Sequence, residues 1–153
     1  MFSNKFLVVG GDLRNISLAN HLIADGKRVK LFGFSKNFCQ ESYTSAPCFS
    51  NLQEALQNVE VVLGPMPCCG DNNMLNMPFH DSPLSIQSLF QSMTENQIFI
   101  AGFISEAVMQ LAGKHNIPIF DVLKRNEMAI LNAIPTVFHI NIKGRRGWYN
   151  PRH

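Results

Sequence analysis

The chain has 153 residues, of which 46% are hydrophobic and 16% charged, and its formal net charge is +2 at neutral pH. That length and balance describe one globular domain with a real core and exclude a disordered chain. Nothing global points to nucleic acid or an acidic membrane surface; no apolar run approaches the roughly 20 residues of a membrane span, and the opening MFSNKFLVVGG is not a secretory signal, so a soluble, cytoplasmic protein is expected.

KFLVV at 5–9 is a short apolar run closed by Gly10-Gly11 and predicts a buried strand. Asp12 stands at a helix N-cap position, and Ile16, Ala19, Leu22 and Ile23 fall on one helical stripe that Asp25-Gly26 ends. RVKLFGF at 28–34 predicts the second strand. Residues 35–51 are polar and irregular, with a short strand allowed near Pro47–Phe49, and Asn51 can cap a brief helix through Leu56. VEVVLG at 59–64 is the next strand, followed by a long Pro- and Met-rich connection over 65–83. Ile86, Leu89, Phe90 and Met93 then mark a helix, and QIFIAG at 97–102 a strand. Ser105 lies near the start of a helix carrying Ile104, Val108, Leu111 and Ala112. Ile117–Phe120 is a short last strand, and a helix is expected from about Leu123 to Ile134.

Strand–helix alternation of this kind means an α/β chain: a Rossmann-like (flavodoxin-like) three-layer fold with a mainly parallel sheet of about five strands. Ligands of such sheets sit beyond the carboxyl ends of the strands, here Gly10–Asp12, Phe32–Phe34, Gly64–Pro67 and Gly102–Ser105. The glycine turn reads GGDLRN and departs from the dinucleotide fingerprint GxGxxG/A. Asp12 would bring negative charge to the helix start where a pyrophosphate otherwise binds. Asp12 is either a plain N-cap or a ligand contact, with the cap favoured. Arg14 suits a carboxylate fork, although a solvated surface arginine fits equally. Glu127 falls on the apolar stripe of the last helix, which requires either an ion pair with Arg14 or Arg125 or a place in a cleft.

The chain contains four cysteines, Cys39, Cys48, Cys68 and Cys69. Without an export signal they are expected to be reduced thiols, and their spacing fits no zinc motif even with His80 recruited.

GGDLRN at 10–15, LGPMP at 63–67, NNMLNMPF at 72–79, GFIS at 102–105 and DVLKRNEMAILNAIPTV at 121–137 together resemble the N-terminal domain of the dipicolinate synthase A subunit. The last motif is the longest and carries most of the likeness, which runs from about residue 4 to residue 137. The resemblance implies half of a two-domain polypeptide related in architecture to the 2-hydroxyacid and alanine dehydrogenases. Its first domain lacks the dinucleotide loop, and the second carries a glycine-rich NADP site. With the dipicolinate synthase B subunit, a flavoprotein-like partner, such a polypeptide oxidises the dihydrodipicolinate precursor to dipicolinate in the mother cell of a sporulating bacterium, hydride passing to the nicotinamide. It further implies a small dicarboxylate as ligand, no cofactor or metal in this chain, and a possible homo-oligomer.

Fold position and resemblance together nominate Gly11, Asp12, Arg14, Pro65, Ser105, Glu127, Asn132 and Thr136 for substrate binding, with no catalytic residue assigned. Residues 1–137 are expected to form the Rossmann-like domain. After Val137 the tail carries Lys143, Arg145, Arg146 and Arg152 with no acidic residue, which departs from the family and suggests a truncation or frameshift. An RNA- or membrane-touching basic arm is the weaker reading of that tail. The competing reading of the whole chain is a non-catalytic interaction or regulatory domain that presents Met66, Met74, Met77 and Phe79 to a partner. Against it stands the plainer reading that these residues pack the loop onto the core.

Overall fold

The computed structural model describes residues 4–41, 44–80 and 82–123. Six strands form one sheet: β1 (Lys5–Val9), β2 (Arg28–Phe32), β3 (Cys48–Phe49), β4 (Val61–Leu63), β5 (Ile98–Ala101) and β6 (Ile119–Asp121). Their order is β3-β2-β1-β4-β5-β6, and every neighbouring pair is parallel. Counted with the two-residue β3, this is the dinucleotide-fold order; without it, the five longer strands run in the flavodoxin order. The same sequence therefore fits both descriptions, and the sheet has one strand more than the sequence count.

The strands read as continuous apolar runs because both of their faces are covered. Helices α1 (Leu13–Ala24) and α2 (Lys36–Glu41) pack on one face, where Ile16, Ala19 and Leu22 meet Phe6, Val8 and Leu31. Helices α3 (Leu52–Leu56), α4 (Ile86–Ser92) and α5 (Glu106–Lys114) cover the other, where Leu56, Leu89, Phe90 and Val108 meet Leu7, Val9, Val62 and Phe99. Both predicted caps are in place: Asp12 and Asn51 accept from the first-turn amides of Arg14 and Glu54. Ser105, expected near a helix start, caps α5 through Val108 N, and Ser85, which the sequence reading did not single out, caps α4 through Ser88 N. The helix expected over Leu123–Ile134 and the basic tail lie outside the described residues, Leu123 apart.

Two sequence readings are corrected. Residues 36–41, read as irregular, form α2, a short helix that lacks a full apolar stripe and depends on Phe38 packing into the core. The reading of four reduced thiols fails for Cys39 and Cys48, which are joined in a disulfide. Helix α2 sets Cys39 beside the edge strand β3, with the two Cα atoms 6.8 Å apart. Compartment arguments from sequence say nothing about which sulfurs a fold brings within bonding distance.

Only two polar side chains are buried among the described residues, Gln97 and Asp121, and both are satisfied. Gln97 donates to the carbonyls of Leu56 and Val59 and accepts from Thr94 N, tying the start of β5 to the α3–β4 turn. Asp121 ends β6 by accepting from Ile104 N at 2.8 Å and Leu123 N at 2.9 Å, so it holds the β5–α5 turn against the exit of β6. Asp121→Asn turns one acceptor into a donor facing a buried N–H. It should lower unfolding free energy by about 1–3 kcal/mol at unchanged denaturant slope, measured by urea titration.

Candidate functional site

The sheet order reverses between β1 and β4, and the crevice outside their carboxyl ends is the natural ligand position of such a sheet. The fold brings Gly10–Arg14, Gly64–Pro67 and Gly102–Ser105 to that edge. Gly10 and Gly11 have φ of 66° and 92°, which lets the chain turn sharply from β1 into α1.

The connection after β4 folds back over this turn. Cys69 bridges to Leu75 and Met74 to Ser85 in short antiparallel pairings, around a single 3-10 turn at Asp71–Asn73. Asn76 and Met77 are thereby delivered onto the glycines. Gly11 N donates to the Asn76 carbonyl at 2.9 Å, while Gly10 N donates to Phe32 O at 2.8 Å. Met77 is only 8% exposed. A Cβ on Gly10 would lie 2.6 Å from Met77 Cγ, and one on Gly33 2.7 Å from its Sδ, so the two glycines form a notch that the thioether fills. Ser35 N donates to Phe79 O at 2.7 Å, and the Phe79 ring stacks on Phe38 at 4.1 Å, fastening the far end of the loop. In a dinucleotide fold this space and the Gly11 amide belong to the pyrophosphate. The residues present here do not fit that group.

The helix start is filled as well. Asp12 caps α1 through Arg14 N at 2.9 Å and receives the Arg14 guanidinium as a fork, Nε at 3.1 and 3.2 Å and Nη2 at 3.0 Å. Arg14 Nη2 also donates to Met66 O at 3.0 Å, linking α1 to the end of β4. The Arg14 hydrogen bond holds the Asp12 carboxyl below its ordinary value of 3.8, and Asp12 in turn raises Arg14. The side chains are 41% and 66% exposed, so the pair adds little to stability and instead sets the orientation of the guanidinium.

Beside this pair opens a cavity of about 150 Å³, lined among others by Asn15, Leu18, Gly64, Met66, Gly102 and Val122. Its surface is largely apolar; Asn15 supplies the polar side chain, its Nδ2 reaching Gly64 O at 3.4 Å. Asn15 is absent from the candidates read from sequence, yet it stands at the third glycine position of the fingerprint and packs against Gly11. A Cβ on Gly11 would lie 2.5 Å from it. Phe103 is absent from them too: it follows β5 with φ 54° and 66% of its surface exposed, an aromatic ring held in a left-handed backbone at the ligand edge. No sequence signal marks it, since GFIS reads as an ordinary strand exit.

Of the nominated residues, Gly11, Asp12 and Arg14 meet at one place. Pro65 is buried there and accepts from Gly102 N at 3.4 Å, so it shapes the edge through its backbone. Ser105 caps α5, its Oγ accepting from Val108 N at 3.3 Å. Glu127, Asn132 and Thr136 lie outside the described residues, and with them both readings of Glu127, the ion pair with Arg14 or Arg125 and the place in a cleft; among the described residues the carboxylate partner of Arg14 is Asp12. Among the described residues no group of three or more His, Cys, Asp or Glu could hold a metal ion, and no helix is long and apolar enough to cross a membrane.

The family model for the N-terminal domain of the dipicolinate synthase A subunit matches residues 5–123. The chain belongs to this family. In structure it is similar to the A chain of dipicolinate synthase from Bacillus subtilis, with a TM-score of 0.68 at 17% identity over 96% of this chain and 49% of that one. The A subunit of the Bacillus halodurans dipicolinate synthase gives 0.66 at 18% identity, over 94% and 50% of the two chains. A 3-hydroxyisobutyrate dehydrogenase from Mycobacterium tuberculosis gives 0.59 at 17% identity, over 79% and 40%. At these identities the likeness shows the Rossmann-like fold alone. The chain spans about half the length of the dipicolinate synthase polypeptides it matches. No curated protein sequence matches it.

The domain should respond to two perturbations of its glycine turn and helix start. Gly10→Ala should destabilise through both its positive φ and its clash with Met77. Met77→Ala in the same chain should recover part of that loss, so the two costs should be non-additive in a double-mutant cycle read by urea unfolding. Asp12, in turn, should titrate below 3.8 when followed by carboxyl-carbon NMR, and Arg14→Ala should move its midpoint upward. Because the folded value is the lower one, the pair's contribution is complete above 3.8 and fades as pH falls through the folded midpoint.

Proposed function

We propose that this chain is the substrate-side domain of a dipicolinate synthase A subunit, binding a small dicarboxylate at the carboxyl edge of β1, β4 and β5 and leaving the nucleotide to another domain. The observation that carries this reading is the Gly11 amide: the Asn76 carbonyl takes it, Met77 fills the space above it, and Asp12 charges the helix start negatively. The first two deny a pyrophosphate its amide and its space; the third repels any anion at the helix start itself, so a carboxylate has to approach from the side of Arg14.

A dicarboxylate needs forked cations or convergent amides. Among the described residues Arg14 is the cation placed at this edge, and its Nη1 makes none of the bonds to Asp12 or Met66 O. Met66 and Gly102 bring an apolar wall against which a ring can lie. In this reading the hydride of the family's oxidation passes to NADP held by a nucleotide-binding domain, the dipicolinate synthase B subunit completes the enzyme, and the reaction serves sporulation in the mother-cell cytoplasm. The interaction-domain reading loses weight because Leu75, Met77 and Cys68 of the Met-rich loop are core residues, so much of its soft surface is already turned inward.

Calorimetric titration of the purified chain tests the assignment. Dipicolinate should bind and NADPH should not. Arg14→Lys should weaken dipicolinate roughly tenfold to a hundredfold, the equivalent of ~1.5–3 kcal/mol, because one ammonium keeps the charge but lacks the planar group that holds Asp12 and Met66 O while leaving Nη1 for a ligand. Micromolar NADPH binding that Met77→Trp abolishes would sink the proposal, as would dipicolinate binding indifferent to Arg14.

A further inference from the structure

Cys68 and Cys69 play no part in the site chemistry above, yet they sit at the root of the loop that closes it. Cys68 is fully buried; Cys69 is half-buried, and their sulfurs are 3.7 Å apart. Cys68 N donates to Gly102 O at 2.8 Å, and Cys68 O accepts from Asn76 N at 3.1 Å. The peptide unit joining the two cysteines therefore carries the carbonyl that holds Asn76, and Asn76 holds the Gly11 amide.

We propose that Cys68 and Cys69 form a redox-active vicinal dithiol that closes to a disulfide within the dipeptide on meeting a small-molecule disulfide, and that closure loosens Asn76 from the glycine turn. The sulfurs already touch and need only approach to the ~2.04 Å of a bond. Cα atoms across one trans peptide are about 3.8 Å apart, short of the usual disulfide range, so the eight-membered ring is strained and easily reduced again. Such a bond serves as a switch; the Cys39–Cys48 bridge, nine residues apart in sequence, ties α2 to β3.

The order of events follows from the asymmetry of the pair. Cys69 is the half-buried sulfur of the pair and Cys68 the buried one; the hydrogen bond they share lowers Cys69, while that bond, burial and the charges of Cys69 and Asp121 push Cys68 far up. Cys69 is thus the thiolate that attacks one sulfur of the oxidant, expelling the first thiolate and forming a mixed disulfide. Cys68 then gives up its proton to that leaving thiolate and attacks the Cys69 sulfur, expelling the second, which is protonated from solvent. Two cysteine thiols lose two electrons, one oxidant disulfide gains them, and two small thiols are released. The ring now contains the Cys68–Cys69 peptide, and twisting that unit turns its carbonyl away from Asn76 N.

The test uses the full chain and oxidised glutathione. Peptide mapping should show the fragment holding both cysteines lighter by two hydrogens, with no retained glutathione and full reversal by dithiothreitol. Amide exchange at Gly11, read by NMR, should accelerate at least tenfold in the oxidised protein. Cys69→Ser, checked for intact Gly11 protection, should remain unmodified, and Cys69→Ala should behave alike if the serine variant fails to fold. Glutathione retained on Cys69, or an inert pair in the folded protein, would refute the dithiol. Unchanged Gly11 exchange after ring closure would refute its link to the loop.

Discussion

One hydrogen bond organises the ligand edge of this domain: Gly11 N to the carbonyl of Asn76, 2.9 Å long and 65 residues apart in sequence. It exists because two glycines turn the chain out of β1 with positive φ, baring an amide that must find an acceptor. In a nucleotide-binding relative of this architecture a phosphate oxygen would accept it. Here the chain supplies its own oxygen, and the bond fixes where the whole Met-rich connection lies. Met77 then has no choice but the notch left by Gly10 and Gly33, where any Cβ would collide with it.

The electrostatics at the helix start agree with that packing. A helix N-terminus favours an anion, and Asp12 is that anion, supplied by the chain itself. Arg14 neutralises it locally and, through Met66 O, ties the first helix to the end of β4. Backbone amide, helix dipole and steric space are thus all committed before any nucleotide arrives. A domain so built keeps the strand order of the dinucleotide fold with the pyrophosphate position taken by its own residues.

Much of the edge is legible from residue types. The departure of GGDLRN from the fingerprint, the cap at Asp12 and the placement of Arg14 after the first strand all follow from local chemistry, and the structure keeps them together. What residue types do not reveal is where long-range partners come from. For Arg14 they allow a ligand carboxylate, a solvated surface or Glu127; among the described residues its carboxylate partner is two residues away, because the cap already points Asp12 back along the helix. Asn15 stands at a fingerprint position, yet as an asparagine in the first turn of a helix it gives no sign of what it touches until Gly11 is seen pressed against it. Phe103 escapes for a similar reason: only backbone coordinates reveal a positive φ at a non-glycine residue.

The sequence by itself determined the α/β class, five of the six strands, the caps at Asp12 and Asn51 and the departure of the first turn from the dinucleotide fingerprint, because these rest on apolar periodicity, cap chemistry and glycine spacing within a few residues. The tertiary structure alone decided the strand order, the Cys39–Cys48 bridge, and the folding of 65–80 back over the glycines. Those features join residues that are distant in the chain, and nothing local distinguishes a methionine that fills a notch from one that faces water until both walls of the notch are in place.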